Sequence, residues 1–154
     1  MKTTIILLAV FAFVLEANAQ KVNEADVPEA VKTKFVAMFP GVKTDGWEKE
    51  NGKYEAEFKQ NKIETSVLFE SNGTYVQTDV EIPVSELPKG VNDYATKNLA
   101  GKKINEATKI TSADGTLTYE AEIGNIDYLF DAGGNFLKKD SDSGDTEDDD
   151  KKLR

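Results

Sequence analysis

Two stretches of the chain carry apolar residues at helical spacing. Each is followed by a longer stretch in which the spacing shortens to two. Val27, Val31, Phe35, Met38 and Phe39 fall at i, i+4, i+8, i+11 and i+12, a single stripe along a helix. Pro28 suits a first turn, where its missing N–H costs nothing, and Pro40-Gly41 stops the helix. Leu87, Val91, Tyr94, Ala95 and Leu99 repeat the stripe, and Gly101 closes it.

The period-2 stretches are punctuated by short turn signals. Asn51-Gly52, Gln60-Asn61 and Asn72-Gly73 follow the first helix; Asp114-Gly115, Gly124-Asn125 and Gly133-Gly134 follow the second. Read as two-residue turns, they set Trp47 opposite Ala56, Lys49 opposite Tyr54, Phe58 opposite Ile63, Phe69 opposite Val76 and Val67 opposite Thr78. In the second stretch they set Ile110 opposite Tyr119, Lys109 opposite Glu120, Ile123 opposite Ile126 and Phe130 opposite Leu137. A one-residue error in such a register exchanges the two faces of a strand.

The two stretches resemble each other. Val27-Pro28 returns as Leu87-Pro88, Tyr54-Glu55-Ala56-Glu57 as Tyr119-Glu120-Ala121-Glu122, and Phe69…Gly73 as Phe130…Gly134, each roughly sixty residues on. The fold this predicts is α+β: one helix followed by a four-stranded antiparallel meander, twice, with the helices over one face. The first unit would occupy 20–83 and the second 84–139. The two sheets either join at an edge or pack separately. The helix-covered face would hold Trp47, Tyr54, Ala56, Phe58, Ile63, Val67, Phe69, Val76, Val80 and Ile82, then Ile110, Tyr119, Ala121, Ile123, Ile126, Tyr128, Phe130 and Leu137.

The alternate positions form the open face. There Glu48, Glu55, Glu57, Glu120 and Glu122 would surround a strip made of Leu68, Tyr75, Leu129 and Phe136. Apolar and aromatic side chains rimmed by carboxylates suit a protein or peptide partner. The same register opposes Glu48 to Glu55 and Glu57 to Glu64, which makes those four an alternative cation site, with calcium the ion that carboxylate oxygens suit.

Composition narrows the chemistry. The chain has no cysteine and no histidine, so an imidazole base and the usual zinc, haem and iron–sulfur ligand sets are missing. A net charge of −9 is the wrong sign for nucleic acid. No glycine-rich phosphate loop or nucleophile elbow occurs, and exposed glutamates lack the contrasted environments of an acid–base pair. The expectation is a protein that is not an enzyme and needs no cofactor. Met1-Lys2, the apolar run Ile5–Leu15 and Ala17-Asn18-Ala19 form a signal-peptide pattern over 1–19 with cleavage before Gln20, which predicts a soluble periplasmic or secreted protein with no membrane span. The segment 140–154 is acidic with a single apolar residue, Leu153, and reads as a disordered tail.

Val27-Pro28…Phe35…Phe39-Pro40, Trp47-Glu48…Tyr54-Glu55-Ala56-Glu57-Phe58…Phe69…Gly73, Leu87-Pro88 and Phe130-Asp131…Gly134-Asn135 resemble the PepSY-like, β-lactamase-inhibitor-like proteins exported by Bacteroidota. The resemblance spans about Val22 to Lys139. It implies tandem helix-plus-sheet units whose sheet surface meets a protein in the cell envelope, with inhibitor-like action as one form of that binding. No inhibitory loop can be matched.

Overall fold

The computed structural model describes residues 20–140. The signal-peptide expectation for 1–19 and nearly all of the tail lie outside the described residues. A two-residue strand β1 (Gln20–Lys21) and a 3-10 turn at Glu24–Asp26 precede α1 (Glu29–Met38). Then come β2 (Gly46–Glu50), β3 (Lys53–Gln60), β4 (Ile63–Phe69) and β5 (Tyr75–Glu81). A second 3-10 turn, Val84–Glu86, leads into α2 (Lys89–Asn98), followed by β6 (Ile104–Ser112), β7 (Leu117–Ile123), β8 (Asp127–Asp131) and β9 (Phe136–Asp140). All nine strands lie in one antiparallel sheet, each hydrogen-bonded to its neighbours in chain order. Of the two arrangements the sequence allows, the sheets therefore join at an edge: β5 pairs with β6, and the two meanders are continuous.

Each helix presents its predicted stripe to one part of the sheet. Val27, Val31 and Phe35 pack with Trp47, Tyr54, Ala56, Phe58, Val67 and Phe69. Phe35 meets Trp47 and Phe58 edge-on, with ring centres 5.6 and 5.4 Å apart, an arrangement favoured by the ring quadrupoles. Leu87, Val91 and Ala95 pack with Ile104, Ala107, Ala121, Ile123, Tyr128 and Phe130. Phe69 and Phe130, at matching positions, are fully buried. Burial of such side chains contributes about 1.5–3 kcal/mol each.

The register confirms some turns and corrects others. Asn51-Gly52 and Gly124-Asn125 are two-residue turns with both residues at positive φ, and Trp47 faces Ala56 as expected. The β3–β4 turn is Asn61-Lys62 and not Gln60-Asn61, so Phe58 faces Thr65, Glu57 faces Ser66, and Ile63 is left 45% exposed near the turn. Lys62 holds φ +69 without the freedom of glycine. Lys62→Gly should therefore stabilise the fold by about 0.5–1 kcal/mol, the relief of left-handed strain less the entropy cost of glycine. A thermal melt checks this, and a lowered midpoint would show that the turn is unstrained.

The three remaining turns are three-residue loops with glycine last, at Ser71-Asn72-Gly73, Ala113-Asp114-Gly115 and Ala132-Gly133-Gly134. In the first and third, a bulge one pair further on restores the expected register, so Val67 still faces Thr78. The residues nearest those turns are displaced: Phe69 pairs with Tyr75, and Phe130 with Phe136, while Leu137 is 43% exposed. In the second no nearby bulge intervenes, and β6 is slipped by one residue. Ile110 faces Thr118 and Lys109 faces Tyr119, which exchanges the faces predicted for both. Lys109 stays exposed on the helix side, on a strand pair that lies between the two helix-covered clusters. Val76 and Val80 are half-buried rather than core.

Candidate functional site

The face opposite the helices collects one side chain in two from every strand. Row by row, pairing brings Glu57, Ser66, Asp79 and Ile110 abreast, and beside them Glu55, Leu68, Gln77 and Ser112. Beyond the join, Thr108 faces Glu120, and Glu106 faces Glu122. Because β5 and β6 are paired, these rows are continuous, and they enclose a groove of about 510 Å³ spanning β3 to β7. It is lined by seven carboxylates against a single lysine. That lysine, Lys59, already pairs with Glu64 at 2.8 Å.

Of the predicted site residues, Glu48, Glu55, Glu57, Glu120, Glu122, Leu68 and Leu129 are on this face. The apolar strip is broken up. Leu68 and Leu129 are 7% and 9% exposed and form floor rather than anchor. Tyr75 and Phe136 are on the opposite side, carried there by the bulges. Tyr75 packs against the first core and donates its hydroxyl to the Thr111 carbonyl at 2.9 Å. Phe136 stacks on Tyr94 of α2 at 4.7 Å. The four-glutamate cation site is also undone, since Glu57 faces Ser66 and Glu64 is held by Lys59. Among the described residues no three acidic side chains converge in a way that could hold a metal ion.

Crowded carboxylates leave an electrostatic mark. Burial pushes the Asp79 carboxyl up to about 7; hydrogen bonds from Gln77 Nε2 to both its oxygens (3.0 and 2.9 Å) oppose this, and nearby Glu55 adds to it. Glu55 is raised as well, first by burial, against a hydrogen bond from Ser66, and then by Glu57, Glu48 and Glu50. Glu50 is 6% exposed, raised by burial and by Glu48, and its Oε1 is buried with no hydrogen-bond partner among the described residues. Strand alternation already puts Gln77, Asp79 and Glu81 on the open face without making them site residues, whereas Asp45 and Glu106 were not singled out from sequence. The signal that would have found Asp79 is the β5–β6 pairing, which turns an edge position into the middle of a sheet.

The sequence profile of a family described as "Putative beta-lactamase-inhibitor-like, PepSY-like" matches residues 14–76 and again 52–138. Among solved structures, a "putative periplasmic" protein of Bacteroides eggerthii is similar at 20% identity and TM-score 0.66, covering 73% of this chain and 87% of that one. A BLIP-like protein of Bacteroides fragilis is similar at 20% identity and TM-score 0.59, covering 79% and 92%. At such identity the likeness concerns fold alone. No curated protein sequence matches.

Proposed function

The chain belongs to the PepSY-like, beta-lactamase-inhibitor-like family, and from that premise we propose that it is a non-catalytic exported binding protein that engages a protein or peptide through the groove opposite its helices. The observation that supports this best is the groove itself, a recess of about 510 Å³ that gathers seven carboxylates. Side chains that repel one another in isolation are stabilised when a partner brings cationic groups among them. Glu48, Glu55, Glu57, Glu120 and Glu122 belong to this surface, and Leu68 and Leu129 support it from below.

The same reading keeps the proposed organisation: an export signal over 1–19 cleaved before Gln20, two duplicated α-β4 units over 20–83 and 84–139, and the acidic segment 140–154. It is in keeping with the periplasmic description of the Bacteroides eggerthii protein, and no helix among the described residues is long and apolar enough to cross a membrane. Calcium binding, the alternative from sequence, has less support now that Glu57 faces Ser66 and Glu64 is paired with Lys59.

Charge reversal tests the proposal. Glu57 and Glu106 are exposed on the groove, so Glu57→Lys with Glu106→Lys should leave the fold intact. Affinity for the envelope protein captured by the unaltered chain should fall at least roughly tenfold and depend less on salt. Unchanged affinity in a folded variant would remove the groove as the site. Inhibitor-like action would be seen as loss of β-lactamase or peptidase activity on addition of the protein.

A further inference from the structure

A second recess lies on the other side of the molecule, where α1, the 3-10 turn before it and the loop into β2 meet. Its volume is about 360 Å³, within the roughly 300–1,000 Å³ range of small-ligand pockets. Phe35, Val36, Val42 and Trp47 make its apolar walls, and Lys32 and Lys43 stand with Glu24 among its polar lining residues. Three features give it a chemical preference. The lysines outnumber the one carboxylate, on a protein whose net charge is −9 and whose opposite face is acidic. Trp47 lines the recess although it is only 5% exposed, and its Nε1–H is buried with no acceptor among the described residues. Val36, 60% exposed, extends the apolar wall of the recess to its rim. Lys32 does pair with Glu29 at 3.1 Å, but Glu29 is 82% exposed, and such a surface pair holds a lysine only weakly.

We propose that this recess is a binding site for a medium-chain aliphatic carboxylate, whose chain lies on Val36, Val42, Phe35 and Trp47 and whose head group is drawn by Lys32 and Lys43. The lysines prefer an oxygen acceptor, and the apolar walls prefer the aliphatic remainder. The site is independent of the acidic groove and does not depend on how the groove is used.

Trp47 is the chain's one tryptophan, so its emission reports on this recess alone. Submicellar octanoate added to the full chain should change that emission saturably, with matching heat by calorimetry. Octylammonium, of the same length and opposite charge, should bind at least roughly tenfold more weakly. Lys43 and Val36 are both exposed, so Lys43→Glu and Val36→Asp should fold, as their melts would show, and each should weaken octanoate about tenfold. Absence of both saturable emission change and heat, an equal effect of octylammonium on the Trp47 emission, or undiminished octanoate affinity in both variants would each overturn the assignment.

Discussion

Gly134→Ala should destabilise the protein by about 3 kcal/mol, several times what a surface glycine replacement costs, because two penalties fall on one position. Gly134 holds φ +81, where any side chain is strained by about 1 kcal/mol or more. Its new Cβ would also stand 2.9 Å from Gly90 Cα and 3.1 Å from both Gly90 N and Pro88 Cβ, in the first turn of α2. Backbone cannot move aside as a flexible side chain can, so overpacking adds about 1–3 kcal/mol. Gly115→Ala is the control: its φ is +85, but no described residue comes within 4 Å of the added carbon, and about 1 kcal/mol is expected. The first half uses the same contact, with Gly73 pressed against the Ala30 carbonyl at 2.6 Å from an added Cβ. In both halves the third hairpin is thus tied to the start of the helix, which seats the helix on the sheet. Urea unfolding of the two variants measures the difference, and equal losses at Gly134 and Gly115 would mean that the helix start yields.

Helix stripes and strand alternation were legible because both follow from simple periods. Val31 and Phe35, Val91 and Ala95, and Tyr54, Ala56 and Phe58 are buried where their spacing placed them. Turn type was less legible, because one dipeptide serves two geometries. At Asn51-Gly52 both residues take positive φ; at Asn72-Gly73 only the glycine does. What separates them is a local hydrogen bond. The Thr74 N–H donates to Asn72 Oδ1 at 2.9 Å, the Thr116 N–H to Asp114 Oδ1 at 2.8 Å, and the Gly133 N–H to Asp131 Oδ1 at 2.9 Å. Each closes a side-chain turn that draws an extra residue into the loop.

The consequence for the site is larger than one residue suggests. At β6 the extra residue exchanged Lys109 and Ile110, and at Tyr75 and Phe136 a compensating bulge concealed the error in the strands while moving the two aromatic rings to the helix side. The acidic character of the open face survived because its glutamates sit on β2, β3 and β7, whose phase is pinned by Trp47, Tyr54, Ala56, Ala121 and Ile123. Its shape did not, since the groove exists only once β5 and β6 are joined, a long-range pairing with no local signature.

The central carboxylate of that groove should also govern how stability depends on pH. Asp79 has its folded pKa raised to about 7 from an ordinary value near 3.8. The folded chain therefore keeps a proton that the unfolded chain has released, and stability falls as pH rises from about 4 to about 7, then levels off. A rise of that size corresponds to roughly 4 kcal/mol, an upper figure for a residue not wholly buried. Asp79→Asn keeps an acceptor for Gln77 Nε2 and loses the charge. It should match the unaltered protein near pH 4 and exceed it by on the order of 3 kcal/mol at pH 8, with Glu55 leaving a smaller slope of the same sign. Urea titrations across that range decide the matter, and parallel curves for the two proteins would show that Asp79 is ionised throughout. The groove then has a thermodynamic signature of its own. A cationic partner favours the charged carboxylate, so binding near pH 7 should release a proton, visible as a dependence of binding heat on the ionisation enthalpy of the buffer. Asp79→Asn should abolish most of that release while leaving the groove's other carboxylates to bind.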